Sequence, residues 1–131
     1  MLELWAELQE TADIERIVEC YDKEACSFWG TLSEDLRGSE ESIRDYFQRF
    51  LEGKRFKVVY LERETIVLSP EIVNVSGTYR FENVEDPSMP PISARFTFVI
   101  RKRGEGTWRF VTHHSSRMPE NGFKLPDGMK R

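Results

Sequence analysis

Histidine and cysteine are scarce in this chain of 131 residues, which holds two of each. Cys20 and Cys26 are too few for a disulfide framework and fit no zinc-knuckle spacing, so we expect two reduced thiols in a cytoplasmic protein. A three-histidine zinc site cannot be built from one chain with two histidines. The sequence therefore predicts neither a structural metal nor another cofactor.

Long apolar runs and an excess of positive charge are also missing. No stretch approaches the roughly 20 apolar residues that a transmembrane helix needs. The N-terminal stretch MLELWAELQETADIE lacks the basic and then apolar pattern of a signal peptide. The formal net charge is −4, which argues against a general nucleic-acid binder. We therefore expect neither a membrane nor a nucleic acid as a partner.

What is present is the composition of one globular domain over residues 1–131. Hydrophobic residues make up 39% of the chain and aromatic residues 12%, and the length suits a single core. Apolar residues at helical spacing predict three helices. The first covers residues 2–10, the second starts at the N-cap Asp13, and the third runs from Ser39 to Gly53.

From Phe56 onward, apolar residues alternate with polar ones, which predicts strands. The four long strands are FKVVYLERETIVLS, EIVNVSGTYRFENV, ISARFTFVIRKR and TWRFVTHHSS. A short strand is also predicted earlier in the chain, in ACSFWGTLS, between the second and third helices. Helices followed by an antiparallel meander predict an α+β domain, in which a curved antiparallel sheet packs around the N-terminal helices. The face that carries Arg95, Thr97 and Val99 is not strongly polar, so we expect a homodimer packed sheet to sheet.

The last strand has the most distinctive residues of the chain, in FVTHHSSRMP. Strict alternation places five side chains on its aromatic face: Trp108, Phe110, Thr112, His114 and Ser116. We expect this face to pack on the helices, with His114 and Ser116 pointing inward and His113 pointing outward. Two histidines on opposite faces cannot share one metal ion. A hydrolase is not supported, because adjacent Ser and His side chains diverge on a strand and no nucleophile elbow is present.

An inward imidazole and hydroxyl two residues apart predict a small polar pocket. A neutral imidazole can relay protons, and a hydroxyl can both donate and accept a hydrogen bond. With aromatic walls, such a pocket suits a small planar substrate that has oxygen atoms. The alternative is that His114 and Ser116 only satisfy backbone groups at the end of the strand.

A resemblance to a known family adds to this interpretation. The segments FWGTLS, IRDYFQRFL, SGTYRF, ARFTFVIRK and TWRFVTHHSSRMPE, with Arg37 after the first, resemble a bacterial and algal family. Its members carry a domain like the association domain of calcium/calmodulin-dependent kinase II, and some are iota-class carbonic anhydrases. The resemblance spans residues 12–120 and leaves 121–131 as a C-terminal tail. It implies the cystatin-like, NTF2-like cone of the SnoaL superfamily, usually as a dimer.

The resemblance also implies reversible hydration of carbon dioxide to bicarbonate without a required metal. The residues assigned by position to catalysis are Thr31, Tyr46, His114 and Ser116, and those assigned to substrate binding are Ser115 and His113. Ser115 replaces Ser116 in the pocket if a bulge shifts the register. The family motif is HHHSS, and its first histidine is Thr112 here, which removes a second inward imidazole and puts proton transfer in doubt.

Two other functions remain open at this point. An isomerase or cyclase of the ketosteroid-isomerase and SnoaL kind uses a carboxylate base at the pocket, and no inward Asp or Glu is evident on the strand faces. A non-catalytic module for small-ligand binding or oligomerisation would share the fold without the activity. For the pocket itself we expect carbon dioxide, bicarbonate or another small anion as the ligand.

Overall fold

The computed structural model describes residues 1–120 and residue 128. Apart from Gly128, the predicted C-terminal tail 121–131 lies outside the described residues. The helices in the described part are α1 (Leu2–Thr11), α2 (Ile14–Glu19) and α3 (Glu40–Phe50). The strands are β1 (Ser27–Trp29), β2 (Phe56–Ser69), β3 (Ile72–Asn83), β4 (Ile92–Arg103) and β5 (Thr107–Arg117), with a short 3₁₀ turn at Gly104–Gly106. All the predicted elements are present, and the bounds of the four long strands agree within one residue.

Side-chain caps fix where the helices begin. The Asp13 carboxylate accepts a hydrogen bond from the backbone N–H of Arg16 at the start of α2. At the start of α3, Ser39 and Ser42 each accept from the other's backbone N–H, which forms a reciprocal capping box. Both caps confirm the predicted N-termini. Gly53 follows α3 with a φ of 64°, a conformation that glycine adopts without strain.

The five strands form one mixed sheet in the order β1-β5-β4-β3-β2. Strands β2 to β5 are the predicted antiparallel meander, but β1 pairs with β5 in parallel. The expectation of a wholly antiparallel sheet is therefore wrong at this edge. The α+β prediction itself is confirmed. In the described part of the chain, no helix is long and apolar enough to cross a membrane.

Aromatic side chains fill the space between the helices and the sheet. Trp5 of α1 stacks on Tyr79 at a centroid distance of 5.9 Å and meets the edge of Phe98 at 5.5 Å. Phe98 in turn stacks on Phe110 at 4.3 Å. The ring contacts continue through side chains from both helices and strands, namely Phe28, Phe47, Phe50, Phe56 and Phe81. Because rings of this size interdigitate so closely, little space remains inside the fold.

A β-bulge in β5 changes which side chains face this core. The pairing with β4 shifts between Val99 and Ile100, so that Thr112 lies opposite Val99 and Phe110 lies opposite Ile100. Val111 is therefore an extra residue on β5, and every side chain beyond it changes face. The expectation from strict alternation fails from this residue onward.

The bulge brings His113 and Ser115 into the core, where they are 2% and 3% exposed. His114 is exposed on the opposite face of the sheet, and Ser116 is half-buried there. On that face the Ser116 hydroxyl accepts a hydrogen bond from the guanidinium of Arg95 at 2.9 Å. The prediction that His114 and Ser116 point inward is therefore wrong, and the alternative that a bulge places Ser115 inside is confirmed.

Candidate functional site

Five polar side chains meet in the core and form a continuous hydrogen-bonded group, which we call the hydroxyl–imidazole cluster: Tyr21, Thr31, Tyr79, His113 and Ser115. The imidazole of His113 contacts the Tyr21 hydroxyl through Nδ1 at 2.8 Å and the Tyr79 hydroxyl through Nε2 at 3.2 Å. Tyr79 donates to the Ser115 hydroxyl at 2.6 Å, and Ser115 bonds to the Thr31 hydroxyl at 2.5 Å. The buried polar groups of the cluster are thus satisfied by one another.

Parallel pairing of β1 with β5 brings the distant parts of this cluster together. Phe28 lies beside His113 in the register, and Thr31 follows β1 by two residues. Tyr21 follows α2 and bridges to Phe110, one strand residue before the bulge. The cluster therefore depends on pairings between residues far apart in the sequence.

Burial sets the charge of the cluster. Complete burial lowers the pKa of His113 well below its ordinary value, with a smaller effect from the neighbouring His114. Burial also raises the pKa values of Tyr21 and Tyr79 well above their ordinary range. The imidazole is held between stacked rings, with Phe98 at 4.1 Å and Phe28 at 4.9 Å. The cluster is therefore uncharged near neutral pH.

A small cavity, which we call the inner cavity, lies beside the cluster. Its lining combines apolar rings with three polar members of the cluster: Trp5, Phe28, Thr31, Tyr46, Phe47, Phe50, Tyr79, Phe81 and His113. The volume open to the centre of a water-sized molecule is about 10 Å³, which is room for a single water. No Asp or Glu of the described residues lines this cavity.

Tyr46 separates the inner cavity from a larger outer pocket of about 280 Å³. Tyr46 and Phe50 line both spaces, and the outer one also has Arg37 and Arg49 in its wall. Burial raises the pKa of Tyr46 to about 12, although its hydrogen bonds with Leu32 and Thr31 act in the opposite direction. The Tyr46 and Phe50 rings together form the wall that the two spaces share.

The Tyr46 ring lies against the backbone of Gly30. A Cβ at Gly30 would lie 2.3 Å from Cζ of Tyr46 and 2.8 Å from its hydroxyl oxygen, so that no side chain fits there while the ring stays in place. The Tyr46 hydroxyl accepts a long hydrogen bond of 3.4 Å from the backbone N–H of Leu32. Close packing on Gly30 thus positions the Tyr46 ring.

The structure gathers some of the predicted site residues and separates others. Thr31, Ser115 and His113 belong to the cluster, and Tyr46 lines the inner cavity beside it. His114 and Ser116 lie on the other face of the sheet. Tyr21 and Tyr79 were not among the predicted site residues. For Tyr79 a signal exists, because it lies two residues before the buried Phe81 on β3 and so shares its inward face.

The described side chains are not arranged as metal ligands. Among residues 1–120 and 128, no group of three or more His, Cys, Asp or Glu side chains is placed to hold a metal ion. Cys20 and Cys26 are free thiols, and burial raises their pKa values to about 11 and about 12 respectively. Neither is in the thiolate form that binds metals at neutral pH.

Comparison with known proteins identifies the family. The profile of the SnoaL-like domain matches residues 1–120, and the chain belongs to this family. A solved structure from Xanthomonas campestris, described as a putative calcium/calmodulin-dependent protein kinase II association domain, has a TM-score of 0.83 and 30% identity, covering 92% of this chain and 84% of its own. The comparison with curated proteins gives no match.

Two more distant structures show the fold alone. An uncharacterised protein with a cystatin-like fold from Caulobacter vibrioides has a TM-score of 0.73 and 20% identity, covering 91% of this chain and 85% of its own. A ketosteroid isomerase-like protein from Erwinia carotovora has a TM-score of 0.72 and 15% identity, covering 88% of both chains. The fold is therefore the NTF2-like, cystatin-like cone, a curved sheet with N-terminal helices, as the resemblance implied.

Proposed function

We propose that the inner cavity binds a small oxygen-bearing molecule through the hydroxyl–imidazole cluster, and that the reaction there is the reversible hydration of carbon dioxide. The observation that supports this most directly is the cluster itself: buried, uncharged hydrogen-bonding groups at one wall of an apolar cavity. In an NTF2-like cone of the SnoaL-like family, the concave interior is the place where a ligand can be enclosed.

The size and charge of the cavity favour a very small, neutral substrate. A buried site without a compensating charge disfavours an ion and accepts a neutral gas. The rings of Phe28 and Phe47 would hold carbon dioxide, while the hydroxyl of Thr31, itself bonded to Ser115, would orient a water or an oxygen of the substrate. Since the volume of about 10 Å³ takes one water, a triatomic molecule also needs the Tyr46 ring to move toward the outer pocket.

Stopped-flow hydration of carbon dioxide with a pH indicator tests the reaction. We expect catalysis in the purified protein that survives exhaustive chelation. Tyr46→Phe removes a hydroxyl from the cavity wall, and Ser115→Ala removes the hydroxyl that bonds to the wall residues Thr31 and Tyr79. Each should lower the rate by roughly 100-fold, as loss of one preorganised donor does elsewhere. The matched control is Ser116→Ala, whose hydroxyl lies on the opposite face with Arg95 and should leave the rate unchanged.

Three outcomes would contradict the proposed reaction. Hydration no faster than in buffer would leave only the binding role. Equal loss in Ser115→Ala and Ser116→Ala would mean that the cluster is not the reacting site. Loss of activity on chelation would mean that a metal performs the step.

A binding module without catalysis is the second candidate, and one observation favours it. Hydration without a metal requires some group to lower the pKa of the attacking water. None of the described residues around the inner cavity is charged near neutral pH, and burial leaves His113 a weak base. Saturable binding of isotope-labelled carbon dioxide without faster hydration would establish this candidate. An isomerase with a carboxylate base is disfavoured, since no described Asp or Glu lines the cavity.

We further propose that a second copy of the chain covers the outer face of the sheet. Edge strand β2 exposes the large apolar side chain of Ile66 at 48%, in one row with Asn74 and Val99 on that face. On the same face Glu62 and Arg95 lie in one row of paired residues across β2, β3 and β4. A two-fold axis between two packed sheets can therefore place the Glu62 carboxylate of one copy opposite the Arg95 guanidinium of the other. Light scattering should give a dimer for the wild type and a monomer for Ile66→Lys. The control Leu36→Lys changes an exposed leucine outside the sheet and should remain dimeric.

A further inference from the structure

We propose that Trp5 sets the direction of the hydrogen bonds through the hydroxyl–imidazole cluster, so that the cluster presents a donor to the ligand and selects one with an acceptor oxygen. The second half of this inference rests on the proposed small-ligand site. The first half, the direction, does not depend on any ligand. Trp5 is a positioning residue in this scheme, because it acts through Tyr21 and His113.

The direction starts at the indole of Trp5. This side chain is 1% exposed, and its Nε1–H donates to the Tyr21 hydroxyl at 3.2 Å. An indole nitrogen can only donate, so the Tyr21 oxygen must accept this bond. In the described part of the chain, the other polar partner of that hydroxyl is Nδ1 of His113, at 2.8 Å. The proton of Tyr21 therefore points at Nδ1.

The rest of the cluster follows from this first bond. If Nδ1 accepts, the single proton of the neutral imidazole is on Nε2, which donates to the Tyr79 oxygen at 3.2 Å. Tyr79 then donates to Ser115 at 2.6 Å, and Ser115 donates to Thr31 at 2.5 Å. Each hydroxyl accepts one bond and donates the next.

The opposite direction leaves an unpaired donor in the core. With the proton on Nδ1, His113 would donate to the Tyr21 oxygen. The Tyr21 proton would then have to point toward the indole N–H, which offers no lone pair. An unsatisfied buried donor of this kind should disfavour the reversed tautomer by roughly tenfold or more.

The chain of bonds ends at Thr31, which lines the inner cavity together with Tyr46. Thr31 is the last cluster member to receive a proton, so its own hydroxyl proton can be donated into that cavity. The Tyr46 oxygen accepts from the backbone N–H of Leu32, which leaves the Tyr46 proton to be donated as well. A carbonyl or carbon dioxide oxygen can accept such a proton, whereas an ammonium group or a hydrocarbon has no lone pair that could accept it.

Nuclear magnetic resonance of isotope-labelled imidazole nitrogens tests the direction, because the chain has two histidines. His114→Gln assigns the His113 signals by elimination. We expect the wild type to show the Nε2–H tautomer in at least roughly tenfold excess. Trp5→Phe removes the opposing indole N–H and should give a measurable fraction of the Nδ1–H form. Trp29→Phe, on the other face of the sheet, is the matched control and should give none.

The outcomes separate the two halves of the inference. A wild type in the Nδ1–H form overturns the direction, and this holds even if Trp5→Phe fails to fold. A Trp5→Phe variant that keeps the wild-type tautomer overturns the role of Trp5. For the ligand, the His113 signals should respond to dissolved carbon dioxide and not to methane, which is also small and neutral but has no acceptor atom; the reverse overturns the donor assignment. Response to neither refutes the small-ligand site together with the ligand class, while the tautomer still decides the direction.

Discussion

The buried imidazole of His113 should make the stability of this protein depend on pH between about 7.5 and 5.5. In the unfolded chain this histidine has an ordinary pKa of about 6.5. In the folded protein complete burial holds its pKa well below that value. Below about pH 6.5 the unfolded chain therefore binds a proton that the folded protein does not bind. The contribution of the neutral imidazole to the free energy of unfolding is therefore fully present above that pH, and it is lost as the pH falls through that value.

The magnitude follows from the linkage between proton binding and unfolding. One proton bound only by the unfolded state lowers the free energy of unfolding by about 1.4 kcal/mol per pH unit. Taken from about pH 7.5 to about pH 5.5, with the unfolded pKa near the middle, the change sums to about 1.4 kcal/mol. The hydroxyls beside the imidazole do not titrate in this range, because burial raises the pKa values of Tyr21 and Tyr79.

Urea unfolding followed by tryptophan fluorescence measures this effect. We compare the wild type with His113→Gln, which cannot take up the proton, and with His114→Gln, whose side chain is exposed on the other face. Between about pH 7.5 and about pH 5.5, the free energy of unfolding should fall by about 1.4 kcal/mol less in His113→Gln than in the wild type. A loss of packing in the variant lowers both of its values equally and does not change this difference. Equal losses in the wild type and His113→Gln would refute the argument that the imidazole is buried and neutral.

Three further substitutions test the packing around the site. Asp22→Ala should destabilise the fold by about 2 kcal/mol or more in urea unfolding at neutral pH, because the 3% exposed carboxylate receives two bonds from Arg103, at 2.6 and 3.0 Å. Gly30→Ala should cost about 1–3 kcal/mol and displace the Tyr46 ring toward the outer pocket. Ser39→Ala removes the N-cap of α3 and should lower the free energy of unfolding by about 1 kcal/mol.

Matched variants separate these effects from general damage. Gly104→Ala adds a methyl group where no atom lies within 4 Å, so it should stay within about 0.5 kcal/mol of the wild type. Glu24→Ala removes the 82% exposed partner of Arg103 and should also be nearly neutral. If Gly30→Ala were as stable as Gly104→Ala, the close approach of Tyr46 to residue 30 would be disproved.

The elements of this fold could be predicted from local patterns, because local physics determines them. Helix starts depend on caps such as Asp13 and Ser39, and strands depend on the alternation of apolar side chains. On β4, Arg95, Thr97 and Val99 were placed on the outer face for the same reason, and the residues that alternate with them, Phe96 and Phe98, are buried. The side chains beyond Val111 were assigned to the wrong faces of β5, because one inserted residue reverses the alternation and leaves no mark in the composition.

The site was harder to predict, because it is assembled from pairings across the sheet. Thr31 and Ser115 were named in advance from the family resemblance. Their contact results from the parallel pairing of β1 with β5, which the local patterns did not specify. Tyr21 follows α2 in the sequence, and only the tertiary structure shows its hydroxyl beside His113.

The bulge also changes how Thr112 bears on the proposed activity. Strict alternation placed Thr112 on the inward face, where it would replace an inward imidazole of the family motif. The structure places Thr112 on the outer face instead, opposite Val99, with its hydroxyl 3.4 Å from that of Ser27. His113 supplies the inward imidazole. The threonine therefore removes nothing from the hydroxyl–imidazole cluster. Any shortfall in catalysis has to be sought in the low pKa of His113 rather than in the missing histidine.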